Sequence, residues 1–493
     1  LLILLSILIH LYRSDDMIRD HLNQFIDRSI SPCDDFYHHV CSKKMNQKDS
    51  FMEQSMQYYK DIMQKIGSLS TADPELYRNS SLTADFMNIQ ERNPVLPFFN
   101  CSKFSAIQVQ TCGSEVECLK ESFLRYYQII QDISMNTNEP LDISNLQNTS
   151  MRSSEAICHD LNGLMRPIIK DFSHIPGLYA KLNLRIPLIE QLKVDGITEK
   201  LPLDRMHDMA KRVREKMRKT LEETKWVDGV TTFLDGHNAT SALDNTYFLN
   251  EKMICELNTT SLRKLIIIYK EIYKEENRKR LNSGCEECDE FFVMAKTYAR
   301  LEQHPDKRVV FDVHRAVLSG EYNAFNMPNT NIVYVQEPMY YPLLDKNSST
   351  NNLLVVAHTL AHEFFHSLIF LKMRSDSNIF DQHAECLINH YQNTCKKFGK
   401  DGCNSGKETF EEDGPDSEGL RIVIDIMKDM YGNYIDMLEY PDLGITKKQA
   451  LFYGIAVTYC SPDEESKVSS DDVHSLERMR INGIFSQSSD FAS

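Results

Sequence analysis

The sequence has no apolar run of the roughly 20 residues that a helix needs to cross a bilayer. Its longest such stretch, Leu1 to Ile9, is far too short, so no complete membrane span lies within it. Basic residues are scarce: 55 Lys and Arg stand against 71 Asp and Glu, a net charge of −16. That deficit argues against a nucleic-acid surface and for a soluble, acidic body. Internal repeats and long low-complexity linkers are absent, which leaves an ordinary globular architecture. Cysteine, at 13 residues, is too sparse for a disulfide miniprotein but more abundant than a cytosolic enzyme needs. The number is odd, so at least one thiol is unpaired within the chain. Cys285-Glu-Glu-Cys288 has the spacing of a redox or zinc clip, but the lack of a second such pair downstream argues against it.

What is present is typical of folded proteins. Of the 493 residues, 42% are apolar and 26% charged, and the length suggests two or three domains. Residues 1–12 read as the remnant of a membrane anchor or signal segment, apolar to Ile9 and without an initiator methionine. On that reading everything after Arg13 is extracytoplasmic, where disulfides form. Sequons at Asn79, Asn100, Asn148, Asn238, Asn258 and Asn347 are compatible with secretion, although chance alone gives roughly four.

From Ser14 to about residue 310 the pattern is mainly helical. Met206, Met209, Val213, Met217 and Leu221 recur at spacings of three and four, after the start signals Pro202 and Asp204. A second helix is predicted from about Ser261 to Arg280, with Leu262, Leu265, Ile266, Tyr269, Ile272 and Tyr273 on one side and a solvated Arg278-Lys279-Arg280 run at its end. Asn347 to Asn352 reads as a polar loop, and Lys396 to Pro415 as charged and irregular.

Between those two segments lies the chemistry. Residues 353–370 form an apolar helix containing His362-Glu363-Phe364-Phe365-His366, an HExxH motif. Histidines at i and i+4 share one helix face, so both imidazoles can bind one Zn²⁺. Glu363 follows the first histidine and can act as general base on water that the metal acidifies. Three histidines and a glutamate are costly to bury in such a helix without a purpose. A second frame exists, His358 with His362, but Thr359 then occupies the base position, and that frame describes an inert protein. The 362/366 frame supplies the full chemistry. Spacing alone leaves the third ligand open among Glu385, Glu408, Glu411, Glu412 and Glu418.

Several segments, in order, resemble the neprilysin and endothelin-converting-enzyme family of zinc metallopeptidases. Ser31-Pro32-Cys33-Asp34-Asp35-Phe36-Tyr37 through Val40-Cys41 is similar to its PCxDFYxxxC motif, and Lys225-Trp226-Val227-Asp228 to its WMD segment. Tyr322-Asn323-Ala324-Phe325 resembles the NAFY element, Glu412 to Leu420 the ExxxDxxGL motif, and Asp472-Val473-His474-Ser475 with Arg480-Ile481-Asn482-Gly483 the DxHS…RVNG pair. By resemblance the zinc ligands are His362, His366 and Glu412, one ion per chain. Glu363 is then the base and Asp416 the residue that orients a ligand histidine. His474 would stabilise the oxyanion, Arg480 would hold a substrate carbonyl or carboxylate, and Asn323 and Ala324 would hold the substrate as an edge strand.

The resemblance implies a mainly α (α+β) fold with two domains around a central cavity. A helical lid would span residues 13–310, and a thermolysin-like catalytic domain with a small sheet residues 311–493. It further implies a metalloendopeptidase acting on small extracellular peptides, anchored as a single-pass type II protein or secreted. An inactive ectodomain serving as a binding protein is the alternative. The departures are specific. Ser367-Leu368 stands where the family has Phe-Asp, and Leu476 replaces a proline. The N-terminal half is shortened, and Gly414-Pro415 disfavours helix between Glu412 and Asp416. The two C-terminal cysteines of the family have no counterpart, which leaves Cys33 and Cys386 unpaired. The remaining family pairing suggests Cys41 with Cys460.

Overall fold

The computed structural model describes residues 16–41, 45–57, 182, 203–223, 243–244, 246–248, 259–282, 290–306, 309–310, 313, 322–327, 332–340, 350–372, 378–398, 406–461 and 473–492. The apolar segment 1–9, the six sequons, Trp226 and the Cys285/Cys288 pair lie outside them. Among the described residues, no helix is long and apolar enough to cross a membrane.

The fold is mainly helical with two small sheets. In chain order the helices are α1 (Met17–Phe25), α2 (Phe36–Val40), α3 (Leu203–Glu223), α4 (Thr259–Asn282), α5 (Glu290–Glu302), α6 (Glu337–Tyr340), α7 (Thr350–Lys372), α8 (Asn378–Phe398), α9 (Phe410–Tyr431), α10 (Lys447–Thr458), α11 (Glu477–Ser486) and α12 (Ser489–Ala492). The strands are β1 (Tyr247–Phe248), β2 (Ala324–Met327), β3 (Ile332–Val335), β4 (Leu438–Tyr440) and β5 (Ile445–Thr446). Two compact units result: residues 1–63, 192–257 and 320–493 form one, residues 64–191 and 258–319 the other.

In the second unit α4 packs on α5. The stripe Leu262, Leu265, Ile266, Tyr269 and Ile272 is buried, as its spacing requires. The basic run at the end of α4 is more than a solvated face. Lys279 pairs with Glu275 at 3.1 Å and with Glu276 at 2.9 Å, and Arg300 of α5 reaches Glu276 at 2.7 Å. Glu276 is buried, which explains why two cations converge on it.

The first unit is built around α7. Its residues are buried on every side from Asn351 to His358 and again from Leu360 to Ser367, as expected of a helix apolar all round. It packs most extensively on α9 and also meets α3, α10, β2 and β3. Met209, Val213 and Met217 form the buried stripe of α3. Strand β3, with four consecutive buried residues, lies between β1 (parallel) and β2 (antiparallel), so β2 is an edge strand.

Two expected loops are shorter than their composition suggests. Helix α7 begins at Thr350 and takes in Asn351 and Asn352, both buried. Asn351 donates to Lys447 O at 3.1 Å and accepts from the Tyr431 hydroxyl at 2.9 Å, so a polar side chain there is part of the core. Helix α8 runs on to Phe398 and α9 resumes at Phe410, inside the stretch expected to be irregular.

The N-terminal segment is tied into the same unit. Asp16 caps α1 and Asp35 caps α2 through side-chain acceptors. Helix α1 packs on α10, and α2 on α10 and α11. A disulfide joins Cys41 to Cys460 across 419 residues, the pairing that the resemblance implied. Cys33 and Cys386 are free and exposed, and Cys395 is disulfide-bonded.

Beside that disulfide, His21 is buried with its ring 5.1 Å from that of Phe25 and Nε2 3.6 Å from Cys460 Sγ. Burial pulls its pKa down from 6.5 to about 4. The folded state therefore favours the neutral ring. The stability this contributes is complete above pH 6.5 and is lost as the pH falls towards 4. By pH 5 the loss is about 2 kcal/mol. Urea midpoints at pH 7 and pH 5 are expected to drop more for the wild type than for His21→Leu; equal drops would exclude this residue as the source.

Candidate active site

The site is assembled where α7 crosses α9. His358, His362 and His366 rise one turn apart on one face of α7, and Glu412 and Asp416 lie one turn apart on α9. Gly419 permits the crossing. A Cβ there would lie 3.3 Å from His358 O and 3.3 Å from His362 N, tighter than side chains normally approach backbone. Contrary to the expectation from Gly414-Pro415, α9 runs unbroken through both residues. Proline removes only the bond to the Glu411 carbonyl, and the residue before it, being glycine, has no Cβ to clash with the ring. Glu412 and Asp416 thus remain on one helix.

Three donor atoms converge. His362 Nε2 lies 3.2 Å from Glu412 Oε2, His366 Nε2 lies 3.4 Å from the same oxygen, and the two Nε2 atoms are 3.0 Å apart. One ligand atom from each of these residues fits within 4.8 Å of the others. Two imidazoles and a carboxylate form the donor set that suits catalytic zinc. The local charge agrees. Burial pulls the His362 pKa down, but Asp416, Glu412 and Glu363 outweigh it and push it up to about 10. A cluster this rich in negative charge favours a cation.

Asp416 is fully buried and holds the ensemble together. Its Oδ1 accepts from His362 Nδ1 at 2.8 Å, from Arg480 Nη2 at 2.9 Å and from the Tyr459 hydroxyl at 3.2 Å, while Oδ2 accepts from Arg480 Nε at 2.6 Å. With Nδ1 donating to Asp416, Nε2 is the ring nitrogen of His362 left to face Glu412 and His366, and the one that would bind a metal. Burial alone would raise the Asp416 carboxyl, but Arg480 and His362 hold it well below the usual carboxylate range. His358 does not join the cluster. Its Nε2 lies 3.2 Å from the Asp416 backbone carbonyl, and burial lowers its pKa to about 4.

Glu363 is 6% exposed, and burial raises its carboxyl pKa. His474 lies on the far side of Glu412, with Nε2 3.3 Å from Glu412 Oε2 and its side chain 46% exposed. Arg480 is committed to Asp416, with its guanidinium over the Tyr459 ring at 4.9 Å. Ala324 begins the edge strand, and Asn323 directly precedes it. Gln336 N donates to Asn323 O at 3.0 Å, and the pairing of Ala324 with Val335 continues from there. By antiparallel alternation, Ala324 and Asn326 direct their backbone groups away from β3, and the Ala324 N–H donates to Asn323 Oδ1 at 2.9 Å.

Several contributors were not evident in the sequence. Asn326, next to the NAF triplet, donates through Nδ2 to Glu363 O and to Ser367 Oγ, both at 2.6 Å. It stitches the edge strand to the HExxH helix. Ser367, noted only as a departure from the family, is the other half of that stitch. Tyr459 could have been suspected only from its place beside Cys460. Thr409 and Asp413, one turn apart, form a buried cluster with Ser475, which lies more than 60 residues further along the chain.

Comparisons with known proteins match the part of the chain that carries this crossing. The profile of peptidase family M13 matches residues 323–493. Endothelin-converting enzyme 1 from Mus musculus is 28% identical over 194 residues, which cover 34% of this chain and 24% of that protein. The Rattus norvegicus enzyme gives the same figures, and the Homo sapiens enzyme is 26% identical over 189 residues. The match spans about a quarter of the length of these relatives. The stretch that matches peptidase family M13, residues 323–493, carries Glu363, Glu412, Asp416 and His474 within the crossing just described.

Proposed function

We propose that this chain is a zinc-dependent metalloendopeptidase that hydrolyses small extracellular peptides. The observation that carries the reading is the convergence of His362, His366 and Glu412 on one point, beside a buried glutamate on the same helix turn. Bound there, Zn²⁺ would supply Lewis acidity, bringing the pKa of a water towards about 7 and polarising the scissile carbonyl. Glu363 takes the proton of the attacking water, its burial bringing its basicity closer to neutrality. Asp416 keeps His362 in the tautomer that presents Nε2. His474, half-exposed at the rim, donates to the developing oxyanion. The peptide lies along β2, the edge strand, where the Ala324 carbonyl faces away from β3 and its N–H is held by Asn323 Oδ1 at 2.9 Å. Arg480 anchors the substrate backbone while remaining paired with Asp416.

We assign catalysis to the unit that holds residues 320–493, in which residues 16–41 and 203–223 also pack. An extracytoplasmic location is supported by the Cys41–Cys460 disulfide, which persists only where thiols are oxidised. Membrane attachment through residues 1–12 belongs to the same proposal.

Purified protein is expected to carry one zinc per chain and to cleave short peptides. Dialysis against a chelator should abolish cleavage, and stoichiometric zinc should restore it. His366→Ala and Glu412→Ala are expected to lose most of the bound metal, because each removes one of three protein donors. Full zinc content in both variants would overturn the assignment.

A further inference from the structure

We infer that Asp413, with Thr409, is a positioning residue that holds His474 against the metal site through Ser475. The inference rests on the proposed role of His474. His474 sits on a short non-helical stretch, residues 473–476, that leads into α11. Val473 is 53% exposed and the His474 side chain 46% exposed, so neither is fixed by burial. Ser475 is the buried residue of that stretch. Its hydroxyl donates to Asp413 Oδ2 at 2.9 Å and lies 3.0 Å from Thr409 Oγ1.

The receiving end is built with care. Thr409 donates to the same Asp413 oxygen at 2.6 Å and accepts from Gly406 N at 2.9 Å. Thr409 precedes the first turn of α9, where an N-cap hydroxyl normally accepts from the helix backbone, yet no such cap bond forms. The hydroxyl serves the cluster instead. Thr409, Asp413 and Ser475 are all buried, and Asp413 Oδ1 has no hydrogen-bond partner among the described residues. Burying a carboxylate with one oxygen unsatisfied is costly, which a merely space-filling residue would not require.

The consequence is geometric. Asp413 adjoins Glu412 in the chain, and Ser475 adjoins His474. Joining Asp413 to Ser475 therefore fixes the distance between a ligand carboxylate and the imidazole 3.3 Å from it. A misplaced oxyanion donor loses its effect in the transition state while leaving substrate binding intact.

Ser475→Ala removes the tether and leaves the Thr409–Asp413 bond in place. Its kcat is expected to fall about 10- to 30-fold, with KM, zinc content and melting temperature near wild type. Asp413→Asn keeps an acceptor oxygen of the same shape and is expected to retain activity within about threefold. The decisive comparison is the double variant. In a His474→Ala background, Ser475→Ala should cost less than twofold further, because its effect passes through that imidazole. Losses that multiply instead, or a wild-type kcat in Ser475→Ala when His474→Ala alone is strongly impaired, would overturn the proposal. If His474→Ala itself is as active as wild type, the catalytic reading of His474 fails, and hydrogen exchange tests the tether without turnover. Amides 473–476 should exchange at least tenfold faster in Ser475→Ala while those of 360–367 are unchanged. Unaltered exchange at 473–476 would show that no tether exists.

Discussion

Glu363→Gln is expected to lower kcat by at least about a thousandfold, with KM and zinc content unchanged, which corresponds to about 4 kcal/mol of transition-state stabilisation. The substitution is nearly isosteric, and the amide is uncharged and cannot accept the proton of the attacking water. The scaffold around it should hold. The Glu363 carbonyl keeps its bond from Asn326, and the flanking Phe364 and Phe365 are buried apolar residues that do not sense the change. The ligands are untouched, since His362, His366 and Glu412 converge without Glu363. Removing a buried carboxylate also relieves a desolvation cost, so melting temperature is expected to stay level or rise. Assays of kcat and KM on one short peptide, with metal content measured on the same preparation, check the prediction. Cleavage by the glutamine variant within tenfold of wild type would remove Glu363 as the base.

The parts of this site legible in the sequence are those that one helix encodes by itself. His362, Glu363 and His366 occupy a fixed 3.6-residue period, and the apolar residues around them announce a buried helix, so α7 and its catalytic face could be read directly. The third ligand could not, because five glutamates satisfied the spacing and only the ordered resemblance to a family favoured Glu412. The structure shows why local pattern fails there. What brings Glu412 to the histidines is the close crossing at Gly419, a tertiary feature that leaves no periodic trace. Composition misled at two places for a related reason. Asn351 and Asn352 look like loop residues but are buried, Asn351 with hydrogen-bond partners from elsewhere in the fold. Gly414-Pro415 looks like a break, but with glycine before the proline the helix runs through at the loss of one hydrogen bond. The Asn326–Ser367 stitch and the Thr409–Asp413–Ser475 cluster join residues 41 and 62–66 positions apart, and neither partner signals the other in the chain.

Asp416→Ala should have the largest effect on the integrity of the protein, and it separates two roles of one carboxylate. Asp416 is fully buried and receives four hydrogen bonds, two of them from Arg480. Removing it strands the guanidinium without its counter-charge, and breaking a buried pair in this way costs about 3–5 kcal/mol. It also frees His362 Nδ1, so the ring can turn or change tautomer, and loss of such an orienting partner typically weakens metal affinity about 10- to 100-fold. A compensating change divides the two effects. Arg480→Leu in the Asp416→Ala background removes the stranded charge and fills space beside Tyr459, so a large part of the stability should return. Zinc affinity should not, because His362 still lacks its acceptor. Urea unfolding and a competitive zinc titration on wild type, the single variant and the double variant provide both readings. If zinc Kd in Asp416→Ala matched wild type, orientation of His362 would have to come from helix packing alone. If stability and zinc affinity recovered together in the double variant, the ion pair rather than the His362 contact would set the metal site.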